Sequence, residues 1–449
     1  MDKVKLTVIR ASEEGSSERL AAKLEGRSKM EATDVVDSVT TILKAVEQEG
    51  DRAVARYTEY FDGVKLAPED FRVAPEAIKR AYERLDPAVL EALKKAADNI
   101  RRFHVEQKEK GSQSFVTEGP GGGQVGMLVR PLERVGIYVP GGTAPLPSSV
   151  LMNAIPAAVA GVKEIVMCTP PQKEGLPDAA ILVASDLAGV DRLYQVGGAQ
   201  AVAAMAYGTE NVPAVDKICG PGNIYVNTAK RLVYGLCDID MFAGPSEILI
   251  VADRTAKPEY LAADMLSQAE HDVMASAILI TTDESHVSTV QQALAEGYEA
   301  SHRKEILGQS LNRYAAIVVV ADLNQAVELA NRLAPEHLEL CVAAEKSESL
   351  LAQVRHAGAV FLGHYTPEPL GDYFAGPNHV LPTSGTARFF SPLNVGDFQK
   401  KMSVIKYDRA ALKKVGDSVV RLATAEQLDR HAAAVAIRLQ KMEEADVTG

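Results

Sequence analysis

The chain has 449 residues, 47% hydrophobic and 24% charged, with a formal net charge of -12. These are the proportions of a folded globular protein, which excludes a disordered chain, a collagen-like repeat and a disulfide-stapled miniprotein; at about 150 residues per domain the length suits two or three domains. Forty-eight Lys and Arg against sixty Asp and Glu argue against a general nucleic-acid binder, which needs a cationic surface, and no apolar run of about 18 residues suggests a membrane span.

The N-terminus, MDKVKLTVIRASEEG, lacks the apolar core and cleavage site of a signal peptide, so a cytoplasmic protein is expected. Cys168, Cys219, Cys237 and Cys341 form no CxxC and no paired spacing, the pattern of reduced thiols. Cys168 and Cys341 sit in apolar runs and read as buried; Cys219 and Cys237 lie nearer to glycine turns.

Residues 1–120 read as mostly helical. TDVVDSVTTILKAVEQEGDRAVARYTEYFDG and PAVLEALKKAADNIRRFHVEQKEKG carry apolar residues at three- and four-residue spacing, and Gly63 is a stop signal for the first. SFVTEGPGGGQVGMLVRPLE reads as a hairpin or linker. From Arg134 onward, short apolar strands (RVGIYVPGG, KEIVMCTPP, DRLYQVGGAQ, DKICGPGN) alternate with helical stretches, the sequence form of βαβ units, giving an α/β domain at about 138–245. SEILIVAD, SAILITTD, AAIVVVAD, LELCVA and GAVFLG continue the pattern as a second α/β domain, expected to share the N-terminal helices. The last 55 residues hold one strand, SVIKYDR, and two helices; Thr424 and Gln427 have capping-box spacing ahead of an apolar stripe at Leu428, Ala432, Val435 and Leu439.

Four places could carry chemistry. In SQAEHD, Gln268 and His271 are three apart on a predicted helix and can leave one face together, as paired metal ligands do. In APEHLEL, Glu336 and His337 set a carboxylate beside an imidazole at a strand edge, a pair suited to proton transfer and water activation. GDYFAGPNHVLPT is a constrained polar loop with Asp372 and His379. His431 lies on the last helix beside its apolar stripe. The turns VPGGTAPLPSS, VGGAQAV and CGPGNIYV offer backbone N–H groups at helix N-termini, which attract phosphates, but none has the G-x-G-x-x-G form. Each motif alone also fits plain structure.

Together, YVPGG, PSSVLMNAIPA, GGAQA, GPGN, AGPSE, SQAEHD, APEHLEL, GDY…GPNHVLPT and LDRH resemble the histidinol dehydrogenase family over about residues 30–440. The resemblance implies an α/β fold with two incomplete Rossmann-like domains, an N-terminal helical part, a C-terminal extending tail and an intertwined homodimer. It divides the chain into an N-terminal extension (1–30), a discontinuous metal/catalytic domain (31–137 and 246–393), an NAD-binding domain (138–245) and a dimerisation tail (394–449). It implies Zn-dependent oxidation of L-histidinol to L-histidine through bound L-histidinaldehyde, with two NAD and one water. By that resemblance Zn²⁺ takes Gln268, His271, Asp372 and His431. Ser246, Gln268, His271, His337, Asp372, Glu426 and His431 contact substrate, Tyr138, Gln200 and Asn223 contact NAD, and Glu336 and His337 move protons. Glu426 and His431 would serve the partner's site. Two other readings use part of the same residues: a zinc hydrolase activating water with Glu336, and an NAD/zinc dehydrogenase of another amino alcohol.

Overall fold

The structure, a computed structural model, describes residues 6–24, 33–141, 145–173, 175–242 and 244–448. Its strands are β1 (Thr7–Arg10), β2 (Phe115–Glu118), β3 (Gln124–Pro131), β4 (Arg134–Tyr138), β5 (Glu164–Cys168), β6 (Arg192–Tyr194), β7 (Lys217–Cys219), β8 (Asp238–Ile239), β9 (Glu247–Ala252), β10 (Ser276–Thr281), β11 (Ala315–Val319), β12 (His337–Cys341), β13 (Ala359–Leu362) and β14 (Gln399–Lys406). The chain divides into two compact units, residues 1–107 with 132–398, and residues 108–131 with 399–449.

The first unit holds two parallel sheets. One has the order β6-β5-β4-β7-β8; the other has β11-β10-β9-β12-β13, with β1 added parallel at its β11 edge. In order of appearance each five-strand set runs 3-2-1-4-5, the doubly-wound order without its sixth strand. These are the two incomplete Rossmann-like sheets. β1 shows that the expected N-terminal extension contributes a strand.

Strand alternation sorts the cores. Val135, Ile137, Ile165 and Met167 face one side of the β4 sheet, and Val166 and Cys168 face the other. The helices behind it, Ala179–Ala188 and Gly198–Tyr207, are apolar almost all round, so each needs cover on its outer side as well. The N-terminal helices give that cover: Val39, Ile42, Val46 and Val54 pack with Ala203 and Val202, and Ala77, Ala81 and Ala97 pack with Ile181 and Leu182. Residues 33–107 thus build onto the β4 sheet, whereas the sequence grouped 31–137 with the second sheet. The first long helical stretch is also two helices, Thr33–Glu49 and Asp51–Asp62, broken at Gly50 and closed at Gly63.

A buried ion pair fixes the turn after β7. Lys230 and Asp240, both with side chains 1% exposed, pair with each other. Lys230 Nζ also donates to the Gly220 carbonyl at 2.9 Å, and Asp240 Oδ2 accepts the Gly220 N–H at 2.8 Å. Gly220 has φ +113°, and a Cβ there would lie 2.1 Å from the Tyr138 carbonyl oxygen, so no other residue fits.

The second unit is the antiparallel sheet β14-β3-β2 with helices Arg409–Ala425 and Asp429–Thr448. The capping box expected at Thr424 is absent. Thr424 ends the preceding helix, where its Oγ1 donates to the Val420 carbonyl, and Gln427 takes φ +61° in the turn between the helices. Among the described residues no helix is long and apolar enough to cross a membrane.

Replacing Lys230 by Met should leave Asp240 buried and unpaired. Denaturant unfolding is expected to show a loss of about 3–5 kcal/mol.

Candidate active site

β12 lies between β9 and β13, and its alternation sends Leu338 and Leu340 to one core, leaving His337, Glu339 and Cys341 for the other face. Helix Pro258–Ala269 covers that face with Leu261, Ala262 and Met265. His337 opens β12 opposite Ile248 of β9. Its Nδ1–H donates to the Glu247 carbonyl at 2.9 Å, which leaves Nε2 as the lone-pair nitrogen. Glu336, also buried, accepts the Glu247 N–H at 2.8 Å. The adjacent acid and imidazole of the sequence motif are thus gripped by one residue's backbone. Burial pulls the His337 pKa down to about 4, so the ring is neutral at pH 7.

The Nε2 lone pair faces carboxylates. It is 3.7 Å from Glu368 Oε1 and 4.0 Å from Asp372 Oδ1, and Asp372 Oδ1 is 3.6 Å from His379 Nδ1. Both acids sit on the short helix Glu368–Tyr373, four residues apart and so on one face. Burial and then the charge of Asp372 push the Glu368 carboxyl far up. Burial would raise Asp372 too, but the hydrogen bond and charge of His379 outweigh it and hold that carboxyl low. Glu368 is the site residue that the sequence reading missed; its only signal was the i, i+4 spacing to Asp372.

The SQAEHD pair meets, though not as expected. The helix ends at Ala269, so His271 lies in the turn beyond it and is exposed. Gln268 is fully buried, and its Nε2 still donates to His271 Nδ1 at 3.2 Å. The charge of His271 acts on His337. Ser246 directly precedes β9 and is half-buried. Glu426 and His431 belong to the second unit, where both are exposed.

Three buried atoms here have no hydrogen-bond partner: His337 Nε2, Glu368 Oε1 and Gln268 Oε1. His337 Nε2 and Gln268 Oε1 bear lone pairs without a donor, and Glu368 joins them as a ligand once its proton leaves, the arrangement a cation resolves. His337, Glu368 and Asp372 present ligand atoms within 4.8 Å of one another. This trio shares Asp372 with the ligand set Gln268, His271, Asp372 and His431. N and O donors without thiolate suit Zn²⁺, and also Mn²⁺ or Co²⁺.

The other expected residues gather at the carboxyl edge of the β4 sheet. Tyr138 ends β4, and its hydroxyl accepts the Gly198 N–H at 3.1 Å. Gln200 lies in the first turn of helix Gly198–Tyr207, fully buried, with both amide atoms unpartnered. Asn223 caps helix Ile224–Val233, its Oδ1 accepting from Tyr225 and Val226 N–H. The edge includes the switch point between β4 and β7, where open α/β sheets bind ligands. All four cysteines are free and buried. Burial raises each thiol, Cys237 to about 12, so none is poised as a nucleophile.

Zn²⁺ at a hundred times its Kd should stabilise the protein by about 2.7 kcal/mol, read from unfolding with and without chelator. Asp372→Asn is expected to abolish that increment. Loss in Gln268→Ala supports the glutamine-histidine set, loss in Glu368→Gln the carboxylate trio, and no increment in the parent protein removes the metal.

A family model described as histidinol dehydrogenase matches residues 25–439. The histidinol dehydrogenase of Heliobacterium mobile is 52% identical over 412 residues, 92% of this chain and 95% of that protein. That of Caldanaerobacter subterraneus subsp. tengcongensis is 54% identical over 416 residues, 93% and 95% of the two chains. The crystal structure of histidinol dehydrogenase from Elizabethkingia anophelis superposes with a TM-score of 0.91 at 36% identity, covering 99% of this chain and all of that one. Matches of this extent, over a fold that brings the Glu-His pair and the acidic helix together, mean that the chain belongs to the histidinol dehydrogenase family of NAD-dependent oxidoreductases.

Proposed function

We propose that this protein oxidises L-histidinol to L-histidine, through bound L-histidinaldehyde, with two NAD and one water, as a cytoplasmic step of histidine biosynthesis. The observation that carries this reading is the His337 ring: Nδ1 is committed to the Glu247 carbonyl, and Nε2 is buried, neutral and unpartnered among carboxylates. A base so placed has one direction in which to take a proton.

Gln268, His271 and Asp372, with His431 of a second copy, would hold Zn²⁺. The bound ion would supply fixed positive charge for the imidazole and amino nitrogens of the substrate. Bound NAD would supply the hydride acceptor, on the edge lined by Tyr138, Gln200 and Asn223. The rest falls to this chain's side chains. Ser246, His337 and Glu426 would help to hold the substrate. His337 Nε2 takes the hydroxyl proton as the alcohol carbon gives up its first hydride. An aldehyde carries no hydride that can leave to give an acid until water has added, so a gem-diol must form. Glu336, beside His337, takes the proton from that water. His337 gives its proton to the aldehyde oxygen as water adds, and so, neutral again, takes a proton from the gem-diol as the second hydride leaves, while the water oxygen stays in the carboxylate.

We propose further that the active unit is an intertwined homodimer with Glu426 and His431 of each chain serving the other's site. Support comes from the second unit, which leaves Phe115, Val116, Ile405, Leu422 and Ile437 more than half exposed. That is more apolar surface than a small free-standing layer usually carries.

NADH counted per L-histidinol consumed is expected to be two, abolished by a chelator and restored by Zn²⁺. One NADH would stop the reaction at the aldehyde and remove the water step from Glu336. Turnover without NAD would mark a hydrolase. His337→Asn and Glu336→Gln should each lose about 10²–10⁴ in turnover while keeping the metal, and near-normal turnover in His337→Asn would overturn its role as base. Mixed chains carrying His431→Ala and His337→Asn should recover activity above either variant alone; no recovery counts against shared sites.

A further inference from the structure

The dinucleotide fingerprint of a doubly-wound sheet places a carboxylate after the second strand, where it accepts hydrogen bonds from a ribose. Here the second strand of the β4 sheet is β5, and it runs on into Thr169, Pro170 and Pro171. The position is vacant of acids, so the recognition of a ribose must come from elsewhere if this edge takes NAD.

Asp62 is placed to supply it. Helix Asp51–Asp62 packs on helix Gly198–Tyr207. At one end Asp51 accepts from Asn211 Nδ2 at 2.6 Å, and its N–H donates to Glu210, both just past the end of the second helix. With the start of one helix at the end of the other, an antiparallel course takes Asp62, at the far end, toward the start of helix Gly198–Tyr207. There the Tyr138 hydroxyl holds the Gly198 N–H, and the charge of Asp62 acts on Tyr138. Gly198 has φ +65°, and a Cβ on it would lie 2.5 Å from Gln200 Oε1, so the turn keeps the glutamine close beneath it.

Asp62 has no structural reason to be an acid. It lies in the last turn of its helix, where the macrodipole disfavours negative charge. Its Oδ2 is buried without a hydrogen-bond partner. Fully buried Gln200, in the first turn of helix Gly198–Tyr207, has both amide atoms unpartnered. Two polar side chains with three idle atoms at one helix N-terminus ask for a ligand that brings donors and an acceptor together, which a vicinal diol does.

We infer that Asp62, with Gln200, accepts hydrogen bonds from the ribose diol of the dinucleotide and so takes the place of the missing fingerprint carboxylate. This rests on the NAD-dependent reading above. The test is binding, not turnover. Wild type, Asp62→Asn and Asp62→Ala are titrated with NADH by its fluorescence, and with ADP-ribose and nicotinamide mononucleotide by calorimetry, and each protein's melting temperature is recorded. Both variants are expected to raise the NADH Kd about tenfold or more, the scale of a hydrogen bond to a charged group. Their affinity for L-histidinol should be unchanged and their melting temperatures equal to or above wild type, since a half-buried carboxylate with an unpartnered oxygen is gone. The half-ligand that loses affinity names the ribose. Equal NADH affinity in wild type and variants overturns the inference. So does a lowered melting temperature with matching loss of L-histidinol binding, which marks a structural role. A wild type that binds L-histidinol but no NADH overturns the NAD reading itself.

Discussion

Glu247 is the residue on which the site hangs. Its backbone N–H holds the Glu336 carboxylate, its carbonyl holds His337 Nδ1, and its side chain accepts the Ser384 N–H at 3.1 Å. The two strands β9 and β12 must be neighbours for this to happen, and they are neighbours because the chain reverses direction across the sheet between its third and fourth laid strands. A loop could present an acid and a histidine, but it could not fix which ring nitrogen carries the proton. A ladder position does so, because the carbonyl it offers has one direction.

The site departs from the rule for open α/β sheets. His337, Glu247, Ser246 and Ser276 lie at or beside the amino ends of their strands, not the carboxyl ends. In the β4 sheet, Tyr138 and the Gly220 turn lie at the carboxyl edge. The loop after helix Glu368–Tyr373 joins the two: buried Asn378 donates to the Met152 carbonyl on the helix following β4, while Asn378 Oδ1 accepts the Val380 N–H. His379, which holds Asp372, is thereby anchored to the other sheet. One amide side chain thus ties the loop that carries His379 to the helix that follows β4.

Much of this was legible as pattern. The strand runs from Arg134 to Gly363 fell where the hydrophobic alternation put them, because parallel strands buried on both faces read as short apolar runs. The Glu336-His337 pair, Gln268 with His271, and Asp372 stood out as motifs; Asp372 lies 4.0 Å from His337 Nε2, and Gln268 keeps His271 as its partner. Three local readings failed for local reasons. The capping box at Thr424 lost to the preceding helix, which kept the threonine as its own last turn. The single N-terminal helix broke at Gly50. His271 fell beyond its helix, yet kept its partner, because a turn at a helix end can carry a side chain back over the last residue.

The sequence by itself determined the elements, their class and the chemical types available, since periodicity and residue identity are local properties. Only the tertiary structure decided which of them converge. Glu368 has no motif of its own; it matters because helix Glu368–Tyr373 lies over the face of β12 that shows His337. Asp62 reads as the end of a helix until the antiparallel packing brings it toward Gly198. The N-terminal helices joined the β4 sheet because two all-apolar helices there needed an outer cover, a demand set by area and not by order along the chain. Convergence of groups hundreds of residues apart is fixed by packing and strand order, and neither is written in any one stretch of sequence.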